Sequence, residues 1–192
     1  MRVGRRLQRL MLAVHLAVSI GWIGALAAYI ALDVTTVISD DPGRLRAAYG
    51  GMETIVETVI VPMAVAALVS GIAISLVTRW GLFRHYWVVV SLLLTAFATV
   101  VLLGEAGTVG ALAGIAADQS TLPGDLAALD STLVHSIGGL VVLVVVLALN
   151  VYKPRGMTRY GWREQQGSIP GGARRTPPDG SRPDSGAQER TP

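Results

Sequence analysis

Cysteine is missing from all 192 residues. That rules out disulfides, thiolate metal sites and covalently attached c-type haem, and leaves the redox compartment undetermined. Lysine and arginine are missing from the whole stretch between Arg84 and Lys153, although it holds two long apolar runs and an intervening segment whose only charges are acidic. Loops kept in the cytoplasm collect Lys and Arg while translocated loops avoid them, so this stretch reads as one that crosses out and returns. There is no internal repeat of the kind that marks transporters built from duplicated halves. The glycines between Gly104 and Gly114 lack the strand context of a phosphate loop, and no Ser, His and acid set reads as catalytic. The sequence carries no enzyme signature.

Apolar residues are abundant, at 52% of the chain with a mean hydropathy of +0.53, and they are gathered in blocks. That pattern describes one small membrane domain. The pI of 9.7 does not point to nucleic acid, because the basic residues flank apolar spans or lie in a polar tail, where they act as topology signals beside anionic lipid.

A bilayer core of about 30 Å needs about 20 apolar residues. Residues 10–32, 57–77, 86–104 and 132–152 meet that length. Arg2, Arg5, Arg6 and Arg9 precede the first span, Arg79 and Arg84 lie between the second and third, and eight basic residues follow the fourth. Only Arg44 and Arg46 fall on the other side, so both termini read as cytoplasmic. The first run continues through Tyr29, Ile30 and Leu32 past the small residues Ala25-Leu26-Ala27, which makes it a span rather than a cleavable signal. Pro62 removes the hydrogen bond to the Thr58 carbonyl and predicts a kink near the outer face. Residues 40–43 form a turn, residues 44–54 a short amphipathic run, and residues 106–130 an outer segment with Pro123-Gly124 as a turn between two short helical pieces. From 164 to 192, ten of 29 residues are Gly or Pro, a composition that predicts disorder.

Polar residues on a membrane helix are costly against lipid, so their spacing shows which face meets other helices. His15, Ser19, Trp22, Leu26, Tyr29 and Asp33 follow one another at steps of four and three, forming one stripe on the first span. Arg84, Ser91, Thr95, Ala98 and Glu105 share a face of the third. Glu53, Glu57, Ala64, Gly71 and Thr78 share one on the second, and His135, Gly139 and Val142 one on the fourth.

The ionisable groups fall into two layers. Asp33, Glu53, Glu57, Glu105, Asp130 and His135 lie near the outer face, and His15, Arg79, Arg84 and His85 near the inner one. At about 1.5 Å per residue, His15 and His135 differ in depth by about 17 Å, too far for one haem without substantial tilt or a shifted span. His15 and His85 are closer in depth, and facing helices of a membrane bundle can hold a haem. His15, His85 and His135 are thus the candidate cofactor ligands, for haem b or copper. Two roles stay open for His15: a ligand, or a structural histidine bonded to a neighbouring helix. In the outer layer Glu57, Glu105 and His135, joined by Glu53, are candidates for a divalent metal site or a proton relay. The alternative is a set of solvated carboxylates, and Asp33, Glu53 and Asp130 are expected to lie close to water.

The segments HLAVSIGWIGALAAYIALDV (15–34), WGLFRHYWVVVSLLLT (80–95) and VYKPRGMTRYGWR (151–163) resemble an actinobacterial family of small integral membrane proteins classed as a domain of unknown function. The similarity covers residues 10–163. More distantly, His15 followed by Trp22, and the span led by Trp87, are similar to the copper-resistance D type membrane domain and to the haem-containing membrane protoporphyrinogen oxidase. That wider pattern has a lysine a few residues after the tryptophan, where this chain has Ser91. The resemblance implies haem or metal handling without an assigned reaction.

The expected architecture is all-α: a four-helix transmembrane bundle with both termini cytoplasmic and a disordered C-terminal tail. It divides into a basic segment (1–9), a membrane domain with its juxtamembrane segment (10–163) and the tail (164–192). The expected setting is the plasma membrane of a bacterium, and the expected function is non-enzymatic, exerted through the bundle interior or as a partner of another membrane component or a second copy.

Overall fold

A computed structural model describes residues 4–77, 85–154 and 158 of the chain. The expected disordered tail and the inner arginines Arg79 and Arg84 lie outside the described residues. Helix α1 runs Arg5–Ile38, α2 Pro42–Ile55, α3 Val61–Val77, α4 Tyr86–Ala117, α5 Pro123–Ala127 and α6 Leu133–Tyr152. Four helical stretches are long and apolar enough to cross a membrane: α1, α2 continued into α3, α4 and α6. This is an all-α multi-pass membrane protein.

The local sequence explains the breaks. Asp41 caps α2 by accepting from the Gly43 N–H at 3.1 Å, and Pro42 follows at the first helical position, where its fixed φ suits the helix and its missing N–H costs nothing. Between α2 and α3, where Pro62 predicts a disturbance, the chain makes a single π-helical turn, Val56–Ile60, in which the Val61 N–H reaches back to the Val56 carbonyl. Pro62, two residues past that turn, cannot donate to the Thr58 carbonyl, and the wider turn accommodates the missing bond. It also keeps the buried stripe in register. Met52, Val56, Ile60 and Ala64 are all buried at intervals of four, whereas a regular α-helix of 3.6 residues per turn would rotate such a series off its face.

Helix α1 begins at Arg5, so the described residues of the basic segment run on into the first span. One expectation changes. The outer segment after Gly104 is not two pieces around a Pro123-Gly124 turn. Its first half continues α4 to Ala117, and Pro123 opens the short helix α5 from its first position. Ala and Gly in 106–117 obscured that continuation, since neither carries a hydrophobic period strong enough to read.

The spans form a ring. α1 packs against α2–α3 on one side and α6 on the other, and α4 does the same. α6, with 20 residues, measures about 30 Å and matches the bilayer core, while α4, with 32, measures about 48 Å. The excess lies at the outer end, where the end of α1, α2, the last turns of α4 and α5 form a helical dome. Leu45, Tyr49 and Met52 from α2 and Leu126 from α5 fill it, each 2% exposed or less. Arg46 closes the dome, which accounts for one of the two arginines on the outer side. Its guanidinium donates to the carbonyls of Ala116, Asp118 (2.6 Å) and Thr121 (3.0 Å), satisfying the C-terminal end of α4. Beside it, the Ser120 hydroxyl and then the Ser120 amide hold the Asp118 carboxyl below its ordinary pKa range, with a further pull from Arg46.

Candidate functional site

The inward stripe of α1 is where the sequence places it: Trp22, Leu26, Tyr29 and Asp33 are all buried. Asp33 itself is not close to water, as expected from its position at the end of the span, but 0% exposed. The start of α6 covers it. The carboxylate accepts from Thr132 Oγ1 at 2.8 Å, Ser131 Oγ at 3.2 Å and Ser136 Oγ at 3.3 Å. Thr132 spends its single proton on Asp33, so the 2.6 Å contact between Tyr29 and Thr132 is donated by the tyrosine. The proton order is therefore Tyr29 to Thr132 to Asp33. The carboxyl faces the N-terminal turn of α6, where exposed N–H groups and the helix dipole favour an acceptor. Among the described residues no cation pairs with it.

Next to this chain lies a cavity of about 620 Å³, bounded by α1, the π turn, α4 and α6. Its body is apolar, formed by Trp22, Leu26, Val56, Ile60, Ala98, Leu102, Val109 and Leu143. Its outer end is polar, with Tyr29, Glu105, Thr132, His135 and Ser136. Glycines at 104, 138 and 139 thin its wall. Phe97 and Val134 line it and are also 61% and 82% exposed on the outside of the bundle. The cavity therefore reaches the lipid-facing surface along the seam between α4 and α6.

The candidate ligands are scattered in relation to this cavity, and only His135 and Glu105 border it. They are brought together, with His135 Nε2 3.8 Å from Glu105 Oε1. His15 instead occupies the seam between α1 and α3. Ser70 gives its own proton to the Ala66 carbonyl at 2.6 Å, leaving its oxygen to accept from His15 Nδ1 at 2.8 Å. Gly71 makes room for the ring: a Cβ there would lie 3.2 Å from His15 Cε1. His15 thus has the bonded geometry of the structural alternative. His85 stands at the N-cap position of α4 beside Trp87, the ring centroids 6.4 Å apart. Glu57 is exposed on the π turn and is not part of the cavity wall. Glu53 turns towards α4, 3.7 Å from where a Cβ on Gly110 would stand. Among the described residues no three His, Cys, Asp or Glu side chains are grouped so as to hold one metal ion.

Tyr29 was legible as part of the α1 stripe, but Thr132 and Ser136 were not singled out. Their only signal is a Ser-Thr pair and a serine at the start of a span, and hydroxyls in membrane helices more often bond their own backbone. Comparison with protein families, with curated proteins and with solved structures finds no match for this chain.

Proposed function

We propose that this chain is a non-enzymatic, multi-pass protein of the bacterial plasma membrane that acts through its bundle interior, taking up a lipid-soluble ligand from the bilayer between α4 and α6. The observation that carries this reading is the cavity of about 620 Å³ with its lateral opening. Its volume is in the range of about 300–1,000 Å³ usual for ligand sites, and its mostly apolar wall with a few convergent polar groups matches their chemistry. The ligand would let the protein act alone, as a second copy's partner or on another membrane component.

Gly104 and Gly138 both line the cavity, and a Cβ on either meets no atom within 4 Å. The double variant Gly104→Leu/Gly138→Leu should therefore fold and narrow the cavity. Native mass spectrometry from detergent should show a small apolar adduct on the wild type, together with its oligomeric state, and at least a fivefold lower adduct occupancy on the variant. Equal occupancy on both proteins, or none on either, refutes uptake into the cavity.

A second reading, that of a haem-b or copper-linked redox or transport protein, is favoured by the imidazole and carboxylate of His135 and Glu105 at the cavity edge and by the distant resemblance carried by His15 and Trp22. It predicts a Soret band or stoichiometric copper in the purified protein, lost on His135→Ala or His15→Ala. Protein free of both removes this reading.

A further inference from the structure

We infer that the cavity selects an uncharged lipid alcohol, recognising its free hydroxyl as a hydrogen-bond donor. The inference rests on the proposed uptake of a ligand and specifies its chemistry.

Charge narrows the choice first. The cavity wall contains no lysine or arginine, and the nearest outer arginine of the dome, Arg46, is committed to the carbonyls of Ala116, Asp118 and Thr121. A phosphate or carboxylate head would meet Glu105 at the edge and Asp33 behind it, with only His135 and the start of α6 set against the two acids. An ammonium head needs a carboxylate to itself. Asp33 is sealed at 0% exposure under three hydroxyls, and Glu105 faces His135 at 3.8 Å. A neutral head is what remains.

The proton order then distinguishes one neutral head from another. Tyr29 gives its proton to Thr132, and Thr132 gives its own to Asp33. The Ser136 proton goes either to Asp33 or to the Leu133 carbonyl at 3.2 Å, and in both cases away from the cavity. Glu105 presents its side-chain oxygens at the edge. The polar end therefore offers spare lone pairs on Tyr29, Ser136 and Glu105, with His135 the one side-chain donor there. The Trp22 indole N–H lies seven residues, about 10 Å, deeper along α1, level with a ligand's chain rather than its head. A ketone or ether oxygen finds lone pairs opposing its own, whereas a hydroxyl can donate to them. Leaving the buried acceptors of Tyr29 and Ser136 unmet is what makes a hydrogen-bonding site reject an analogue that lacks the hydroxyl.

The test uses the full chain in detergent with tail-brominated hexadecanol and its O-methyl ether, compounds that differ only in the head proton. Bromine entering the cavity quenches Trp22, and binding is read as the saturable loss of tryptophan fluorescence. The expected result is at least tenfold tighter binding of the alcohol, lost in Gly104→Leu/Gly138→Leu. Glu105→Gln places an amide donor at the edge and should shrink the preference for alcohol several-fold while the protein stays folded. Competition by an isoprenoid hydroquinone or by dioleoylglycerol identifies which natural source of lipid hydroxyl fits, provided its O-methylated form competes at least tenfold more weakly. Equal affinity for alcohol and ether, or tighter binding of a brominated fatty acid or amine, overturns the inference. If those compounds still lose binding in the double glycine variant, ligand uptake stands and only its selectivity falls. Absence of saturable quenching by every compound overturns both.

Discussion

Asp33→Ala is expected to destabilise the folded bundle by about 2–5 kcal/mol, because each buried hydroxyl left without its acceptor costs about 1–3 kcal/mol. The change removes the acceptor for three hydroxyls and leaves Thr132 and Ser136 buried, at 6% and 7% exposure, around a vacated space. It also cuts the side-chain tie between the outer end of α1 and the start of α6. Asp33→Asn is expected to cost less, about 1–3 kcal/mol, because its carbonyl still accepts while its amide must find an acceptor among groups that were all donating. The measurement is an equilibrium unfolding titration in mixed micelles, read by helix content. Asp33→Ala with unchanged stability would mean that the carboxylate is not the centre of this network.

The second large effect is expected far from any polar group. Leu45→Ala should destabilise the protein by about 2–5 kcal/mol, the cost of emptying a tightly packed leucine site, whereas Leu93→Ala should change stability by about 0.5 kcal/mol or less. Leu45 is 0% exposed inside the dome, and Leu93 is 63% exposed on the lipid-facing side of α4. The contrast follows from the solvent on each side. In the dome, burial removes apolar surface from water, while on a lipid-facing helix leucine exchanges one apolar neighbour for another. The largest fully buried side chains include Tyr49, Leu45, Met52 and Leu126, all in the dome, so the outer end is expected to be the most resistant part of the molecule. Hydrogen exchange by mass spectrometry on both variants tests this. Loss of protection after Leu45→Ala should concentrate in α2, α5 and the end of α4. Uniform loss along all helices would argue against a separately packed dome.

The sequence disclosed the spans because a bilayer imposes a length and an apolar composition that few other structures share. It disclosed the inner face of α1 because Trp22, Leu26, Tyr29 and Asp33 repeat at helical spacing, and it disclosed the disturbance at Pro62 because a missing N–H has a local effect. The rest depends on distance. Asp33 meets Ser131, Thr132 and Ser136 across 98 to 103 residues of chain, and nothing near Asp33 announces hydroxyls that far away. Depth alone places it in water, because the start of α6 that covers it is not visible from depth. Arg46 read as an exception to the charge distribution, since its partners are backbone carbonyls that any sequence supplies. A cavity is harder still to read, because it is made by side chains that are small or turned aside, and small residues on a membrane helix serve equally well for close packing.

The tie between Asp33 and α6 also bears on how the molecule is made. The first span leaves the ribosome about a hundred residues ahead of its hydroxyl partners, so the aspartate has to wait at the aqueous rim until the final helix is delivered by the insertion machinery. Only then can it withdraw from water, and the arrival of the last segment becomes the step that latches the whole assembly.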